Sequence, residues 1–229
     1  MFAALTVAPA CTTVETGLIT VNWEFHEIDD VDPNAAPTIL PCPTGFDIAE
    51  IHLTSLTGGT DYVDAYSCNA MTGTEAYDAD AYDVELLITN GSGSVYAVSP
   101  SEGLPAVEID ITNADKTLSL SIADNGGYFG YAWNLVDAGT NAPLTCAQAG
   151  AGSVEVVASL VTGPRFGLGD RYPCTDGSAV TPAFPAGNYT VSAAALNGET
   201  TLGEVQNKTT AMGDRNDFVN LGTVTLPIN

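Results

Sequence analysis

The 229-residue chain carries 28 acidic residues against 5 basic ones, a formal charge of -23. That balance excludes nucleic acid as a partner, because so few cations cannot neutralise a phosphate backbone. No apolar stretch approaches the ~20 residues of a membrane-spanning helix, the 45% hydrophobic share argues against disorder, and the length is that of two ordinary domains.

In chain order, residues 1–10 (MFAALTVAPA) are small and apolar and end with Ala8-Pro9-Ala10 directly before Cys11. They resemble the tail of a bacterial export signal with a lipoprotein cleavage site, which makes residues 1–11 a signal-like segment and Cys11 a candidate lipid anchor. Strands are then expected at 18–25, 48–55, 62–67, 82–89, 95–98, 106–112 and 117–122, as short Val/Ile/Leu/Tyr/Thr runs between Gly, Pro, Asn and Asp. Tyr82-Asp83-Val84-Glu85-Leu86 and Leu118-Ser119-Leu120-Ser121-Ile122 alternate, giving one apolar and one polar face. Asp124-Asn125-Gly126-Gly127 is the expected joint, with the strand at 117–122 able to belong to either side of it. Further strands are expected at 133–136, 154–161, 189–196, 203–210 and 219–226. Asn90-Gly91 and Asn197-Gly198 are expected to supply positive φ for tight turns after equivalent strands.

The two halves repeat one order of landmarks. Trp23 precedes Cys42, then an apolar run from Ile48 to Leu56, then Cys68 and Ala81-Tyr82-Asp83-Val84. Trp133 precedes Cys146, then a run from Val154 to Val161, then Cys174 and Asn188-Tyr189-Thr190-Val191. The offsets between equivalents are 110 for the tryptophans, 104 and 106 for the cysteines and 107 for the tyrosines, and these are the only two tryptophans. Neither cysteine pair has the close spacing of a zinc or redox site. The pairs expected are therefore Cys42 with Cys68 and Cys146 with Cys174, bonds that persist in oxidising compartments. The fold class expected is all-β: two tandem immunoglobulin-like or prealbumin-like antiparallel β-sandwiches, residues 12–124 and 125–229, each with one internal disulfide. Charge divides unevenly between them: residues 1–124 hold 20 acids and one base, net -19, and residues 125–229 hold 8 acids and 4 bases, net -4.

Phe184-Pro185-Ala186-Gly187-Asn188-Tyr189-Thr190-Val191 resembles the proline-glycine-tyrosine corner of prealbumin-like and carboxypeptidase-regulatory-like sandwich modules. There a tyrosine packs back over the strand entry. The first copy keeps Tyr82-Asp83-Val84 and has Asp78-Ala79-Asp80-Ala81 in place of the turn. Tryptophan strand, cysteine pair and corner together resemble the duplicated modules of uncharacterised surface lipoproteins of myxobacteria and their relatives. That resemblance implies a surface or periplasmic protein without established activity.

No catalytic residue is assigned and no enzyme is expected. His26 and His52 are the only histidines and both lie in the first copy, so the duplicated unit depends on neither. Serine-nucleophile, phosphate-loop, zinc-protease and haem motifs are missing. Asp29, Asp30 and Asp32, and Asp78, Asp80 and Asp83, are the densest carboxylate clusters. A structural calcium there is the alternative to plain solvation, and no other cofactor is expected. Tyr62, Tyr66, Tyr77 and Tyr82 suit either a sugar- or peptide-binding surface or the core, and the core is preferred because sandwiches use tyrosine freely. The function expected is that of an exported structural or adhesive surface protein that displays loops or polymerises through edge strands, its partners being further copies of itself or another surface protein or polysaccharide. The alternative is a carbohydrate- or calcium-binding extracellular module.

Overall fold

The computed structural model describes residues 15–29, 35–161 and 168–229. Cys11 lies outside them, as do Asp30 and Asp32. The first copy runs through β1 (Thr16–Glu27), β2 (Thr38–Leu40), β3 (Ile48–Ser55), β4 (Tyr62–Ser67), a 3-10 turn at Cys68–Ala70, β5 (Thr72–Asp78), β6 (Ala81–Thr89), β7 (Val95–Ser99), β8 (Val107–Asp110) and β9 (Lys116–Ala123). The second runs through β10 (Gly126–Asp137), β11 (Pro143–Leu144), a one-turn helix α1 (Cys146–Ala149), β12 (Ser153–Leu160), β13 (Leu168–Pro173), a 3-10 turn at Cys174–Asp176, β14 (Ser178–Val180), β15 (Phe184–Pro185), β16 (Gly187–Asn197), β17 (Thr200–Met212) and β18 (Asp217–Ile228).

Period-two burial decides which residues form the long strands. Along β1 the buried side chains are Ile19, Val21, Trp23 and Phe25, and 110 residues later β10 buries Phe129, Tyr131, Trp133 and Leu135. β6 and β16 repeat the pattern with Tyr82, Val84, Leu86 and Ile88 against Tyr189, Val191, Ala193 and Ala195. Each copy closes two sheets over these residues. In the first, β1 pairs with β2, β5 and β9 and faces the sheet ordered β4-β3-β6-β7; in the second, β10 pairs with β11, β14, β15 and β18 and faces β13-β12-β16-β17. The apolar residues accordingly gather in two clusters, one drawn from residues 19–122 and the other from 129–228.

Three details differ from the sequence expectation. The antiparallel pairing holds in every described ladder but two, since β1 with β9 and β10 with β18 run parallel. First and last strands of a copy thus lie side by side in one sheet, and the strand at 117–122 stays with the first copy. Of the two Asn-Gly turns, Gly198 has the positive φ of +58°, but in the other the left-handed residue is Gly93 at +80°. There the Asn90 carboxamide oxygen accepts the Ser92 and Ser94 N–H groups and so winds a wider loop. Finally, β5, β13 and β14 carry too few apolar side chains to show alternation. They are edge strands, which need bury little.

The landmarks of the repeat are its joinery. Both expected disulfides are formed, with Cα–Cα distances of 5.9 Å. The Trp23 indole N–H donates to the Cys68 carbonyl at 2.9 Å, and the Trp133 indole N–H to the Cys174 carbonyl at 2.9 Å. The main-chain N–H groups of the same tryptophans bond the residues that end the two 3-10 turns, Met71 and Gly177, both left-handed. At the corners the Tyr82 hydroxyl donates to the Asp78 carbonyl (2.8 Å) and the Tyr189 hydroxyl to the Pro185 carbonyl (2.7 Å). Burial pushes both phenols up to about 12, so both remain donors across the physiological range.

Removing Cys42 with Cys68, or Cys146 with Cys174, as paired alanines is expected to cost about 3–4 kcal/mol from the loop length in the chain-entropy model. Tyr82→Phe and Tyr189→Phe, each leaving a carbonyl unbonded, should cost about 1–2 kcal/mol. Urea denaturation monitored by tryptophan fluorescence reads both. Unequal effects in the two copies would show that the corners are not equivalent.

Candidate functional site at the joint between the copies

The structure gives the sequence candidates structural employment. Asp80 is buried and spends its carboxylate on the hydroxyls of Ser55 (2.6 Å) and Thr57 (2.8 Å) and on the Ala81 N–H (2.7 Å). Those bonds, from Ser55 first, hold its pKa below the usual carboxylate value. A lowered native pKa stabilises the fold at pH above the ordinary carboxylate range, and the contribution is lost as pH falls through the lowered value. This network rebuilds, with polar side chains, the turn that proline and glycine make in the second copy. Asp78 contributes its main-chain carbonyl to the corner, while Asp83 stands on β6 opposite Thr54 of β3 and Glu108 of β8. Asp78, Asp80 and Asp83 are therefore not gathered into one ligand set, and among the described residues no three His, Cys, Asp or Glu side chains are placed to hold a metal ion.

Tyr62, Tyr77 and Tyr82 pack on one another with ring centroids 5.0–6.4 Å apart, and Tyr66 lies 6.4 Å from Trp23. They belong to the core and its margin. His26 and His52 each sit beside a glutamate two residues earlier on the same strand face, Glu24 and Glu50. The outer edges carry a further repeated device. Asp64 on β4 and Asp170 on β13 are counterparts 106 residues apart. Asp64 turns toward the core side and accepts the Tyr77 hydroxyl at 2.7 Å. Asp170 lies beside Tyr131 and Tyr172, its Oδ2 meets no hydrogen-bond partner, and burial raises its pKa. Inward charges of this kind blunt an edge strand against pairing with another chain.

A dense set of specific contacts lies where the copies meet, and of its residues only Asp124 to Gly127 are marked in the sequence as the expected joint. Asp124 and Asn125 turn the chain. The Asn125 carboxamide accepts the Ile28 N–H and donates to the Ile28 carbonyl, both at 2.8 Å. Gly126 and Gly127 follow inside β10, where a Cβ atom would stand 1.9 Å from the Phe184 oxygen and 2.0 Å from the Asp217 oxygen. These glycines permit close backbone approach and are not a hinge.

Into this joint the β17–β18 hairpin inserts Arg215 and Asn216, both left-handed at φ of +58° and +66°. The Asn216 N–H bonds the carbonyls of Ala123 (2.7 Å) and Gly126 (2.9 Å), its Oδ1 accepts the Ala123 N–H (3.0 Å), and its Nδ2 donates to the Val98 carbonyl (2.7 Å). Asn216 is buried, so one side chain ties β7 and β9 of the first copy to a hairpin of the second. Beside it the Arg215 guanidinium lies 4.8 Å above the Tyr96 ring, and the Tyr96 hydroxyl donates to Asp124. Desolvation, then the bond to Asp124, pushes that phenol up to about 12. A lone asparagine in a hairpin has no sequence signature, which is why this residue was missed.

No family model matches the chain, and no curated protein matches it in sequence. Among solved structures it is similar to the minor pilin of Streptococcus agalactiae, with 13% identity, 93% of this chain and 96% of the pilin covered, and a TM-score of 0.29. It is similar also to the fimbrial anchor protein of Porphyromonas gingivalis, with 10% identity, 83% and 82% covered, and a TM-score of 0.27. A third is the TIE protein of Bacillus anthracis, with 14% identity, 91% of this chain covered and a TM-score of 0.29, where the chain spans about a third of that protein's length. Scores this low carry no function across.

Asn216→Ala removes both side-chain bonds, taking a partner from the buried Ala123 N–H and from the part-buried Val98 carbonyl, at an expected cost of about 2–4 kcal/mol. Calorimetry should show one cooperative transition for the natural protein and two for the variant. A single unshifted transition in both would mean that the joint contributes nothing.

Proposed function

We propose that this chain is an exported, non-catalytic structural or adhesive protein of the cell surface, made of two β-sandwich modules, residues 12–124 and 125–229, held as one stiff unit. The observation that carries this reading is the repetition itself. What the copies share is framework, namely tryptophan bond, disulfide and tyrosine corner, and a buried asparagine joins the two frameworks across the joint. Disulfides resist unfolding outside the cell and require an oxidising compartment to form. The large acidic excess keeps such a protein soluble and discourages indiscriminate association. With the β4 and β13 edges guarded by Asp64 and Asp170, assembly with itself or with surface partners proceeds through other surfaces. Anchoring through a lipidated Cys11 belongs to the same reading.

In intact cells producing the full chain, protease added outside should remove the protein, and mass spectrometry should find Cys42–Cys68 and Cys146–Cys174 oxidised. A protease-protected pool with free thiols in the cytosolic fraction would refute the proposal.

A further inference from the structure

Six polar or charged residues are buried among those described, and three of them, Ser99, Ser101 and Asn216, meet at one place. They floor a cavity of about 190 Å3 at the joint, rimmed by the exposed Ser119 and Ser121 of β9 and by Tyr128 of β10. It is built from an interruption in the repeat. Where the second copy runs the single strand β17 along β16, the first pairs β7 and β8 with the two ends of β6. The intervening residues 100–106 loop over the joint and bring Ser101 with them.

The Asn216 side chain accepts from the Ala123 N–H and donates to the Val98 carbonyl, and the Ser99 hydroxyl donates to the Ser121 carbonyl at 3.2 Å. The Ser101 carbonyl accepts the Leu104 N–H, but the Ser101 hydroxyl meets no partner in the protein although the residue is 1% exposed. Leaving a buried hydroxyl unbonded destabilises the fold, and alanine would fill the position without that cost. In a chain with 28 acidic residues, no charged side chain lines this cavity.

We propose that the cavity binds a neutral, hydroxyl-rich ligand, a single sugar residue of a surface polysaccharide. Its volume is that of about six waters at ~30 Å3 each, room for one ring. The serine hydroxyls both donate and accept, as sugar hydroxyls do. The Tyr128 ring supplies an amphipathic surface for the C–H face of the sugar. No cation stands in the lining to offset the charge of an acidic sugar. The proposal rests on the adhesive reading above and names what is held.

The test is NMR titration of the full chain with methyl glucoside, methyl mannoside, methyl galactoside, N-acetylglucosamine and, as the charged comparison, glucuronate. At least one neutral sugar should give saturable shifts confined to residues 99–101, 119–121 and 128, with glucuronate about tenfold weaker or worse. Ser101→Ala should weaken the sugar about fivefold or more while raising the melting temperature of the free protein, a split that a purely structural hydroxyl does not produce. Tyr128→Phe, which keeps the ring, serves as the second variant and should weaken the sugar less. Lack of saturable shifts for every neutral sugar up to about 100 mM, weaker than any useful affinity, would overturn the proposal. So would a fall in melting temperature for Ser101→Ala. Either result leaves the surface reading to be judged by cell shaving and disulfide state alone.

Discussion

The bond from an indole N–H to a cysteine carbonyl organises each copy. A tryptophan brings the largest apolar side chain into the core but carries one donor that must be satisfied there. Trp23 and Trp133 satisfy it on the main chain of the residue that also forms the disulfide. The bond therefore fixes three things together: the depth of the first strand, the start of the 3-10 turn, and the placement of the sulfur bridge. From that point the two sheets have little freedom. The strand before the cysteine becomes the edge of one sheet, the strand after the turn pairs with the tryptophan strand in the other, and the tyrosine corner closes the far end.

The two copies show how much else can vary around that constraint. At the corner, proline and glycine in one are replaced in the other by a carboxylate network around Asp80, yet the tyrosine hydroxyl reaches the carbonyl four residues back in both. Under β4, Asp64 has a tyrosine donor, whereas its counterpart Asp170 is left with an unbonded oxygen. Divergence is greatest at the joint, where neither copy is bound to repeat the other. The loop of residues 100–106 has no counterpart in the second copy, where β17 alone runs along β16. The contacts of Asn216 with Ala123 and Val98 and of Arg215 with Tyr96 come from the hairpin tip, those of Asn125 with Ile28 come from the joint itself, and the cavity beside them is lined by the 99–104 segment, β9, Tyr128 and Asn216.

Much of the framework was legible in the sequence for the same reason that it repeats. Alternation in β1, β6, β9 and their partners writes burial directly into the residue order, and matched cysteines needed only a spacing argument. Edge strands such as β5 and β13 left no such trace, because they carry few apolar side chains to mark an inner face. The parallel pairing of β1 with β9 is equally silent, since alternation marks a strand but not the direction of its neighbour. Carboxylate density misled at Asp80, whose oxygens serve a turn. Asn216 and Ser101 matter through neighbours that lie far away along the chain, such as Val98 for Asn216, and only the fold brings these together.

The exchange of the two indole N–H protons with solvent tests the central role of the tryptophan bonds most directly. Measured by NMR in the natural protein, the Trp23 and Trp133 protons should be protected to the level of the slowest core amides, and reduction of one disulfide should release the indole of its own copy first. Indole protons that exchange as fast as those of a solvent-exposed tryptophan while the sheets stay protected would show that these bonds do not hold the sandwiches together.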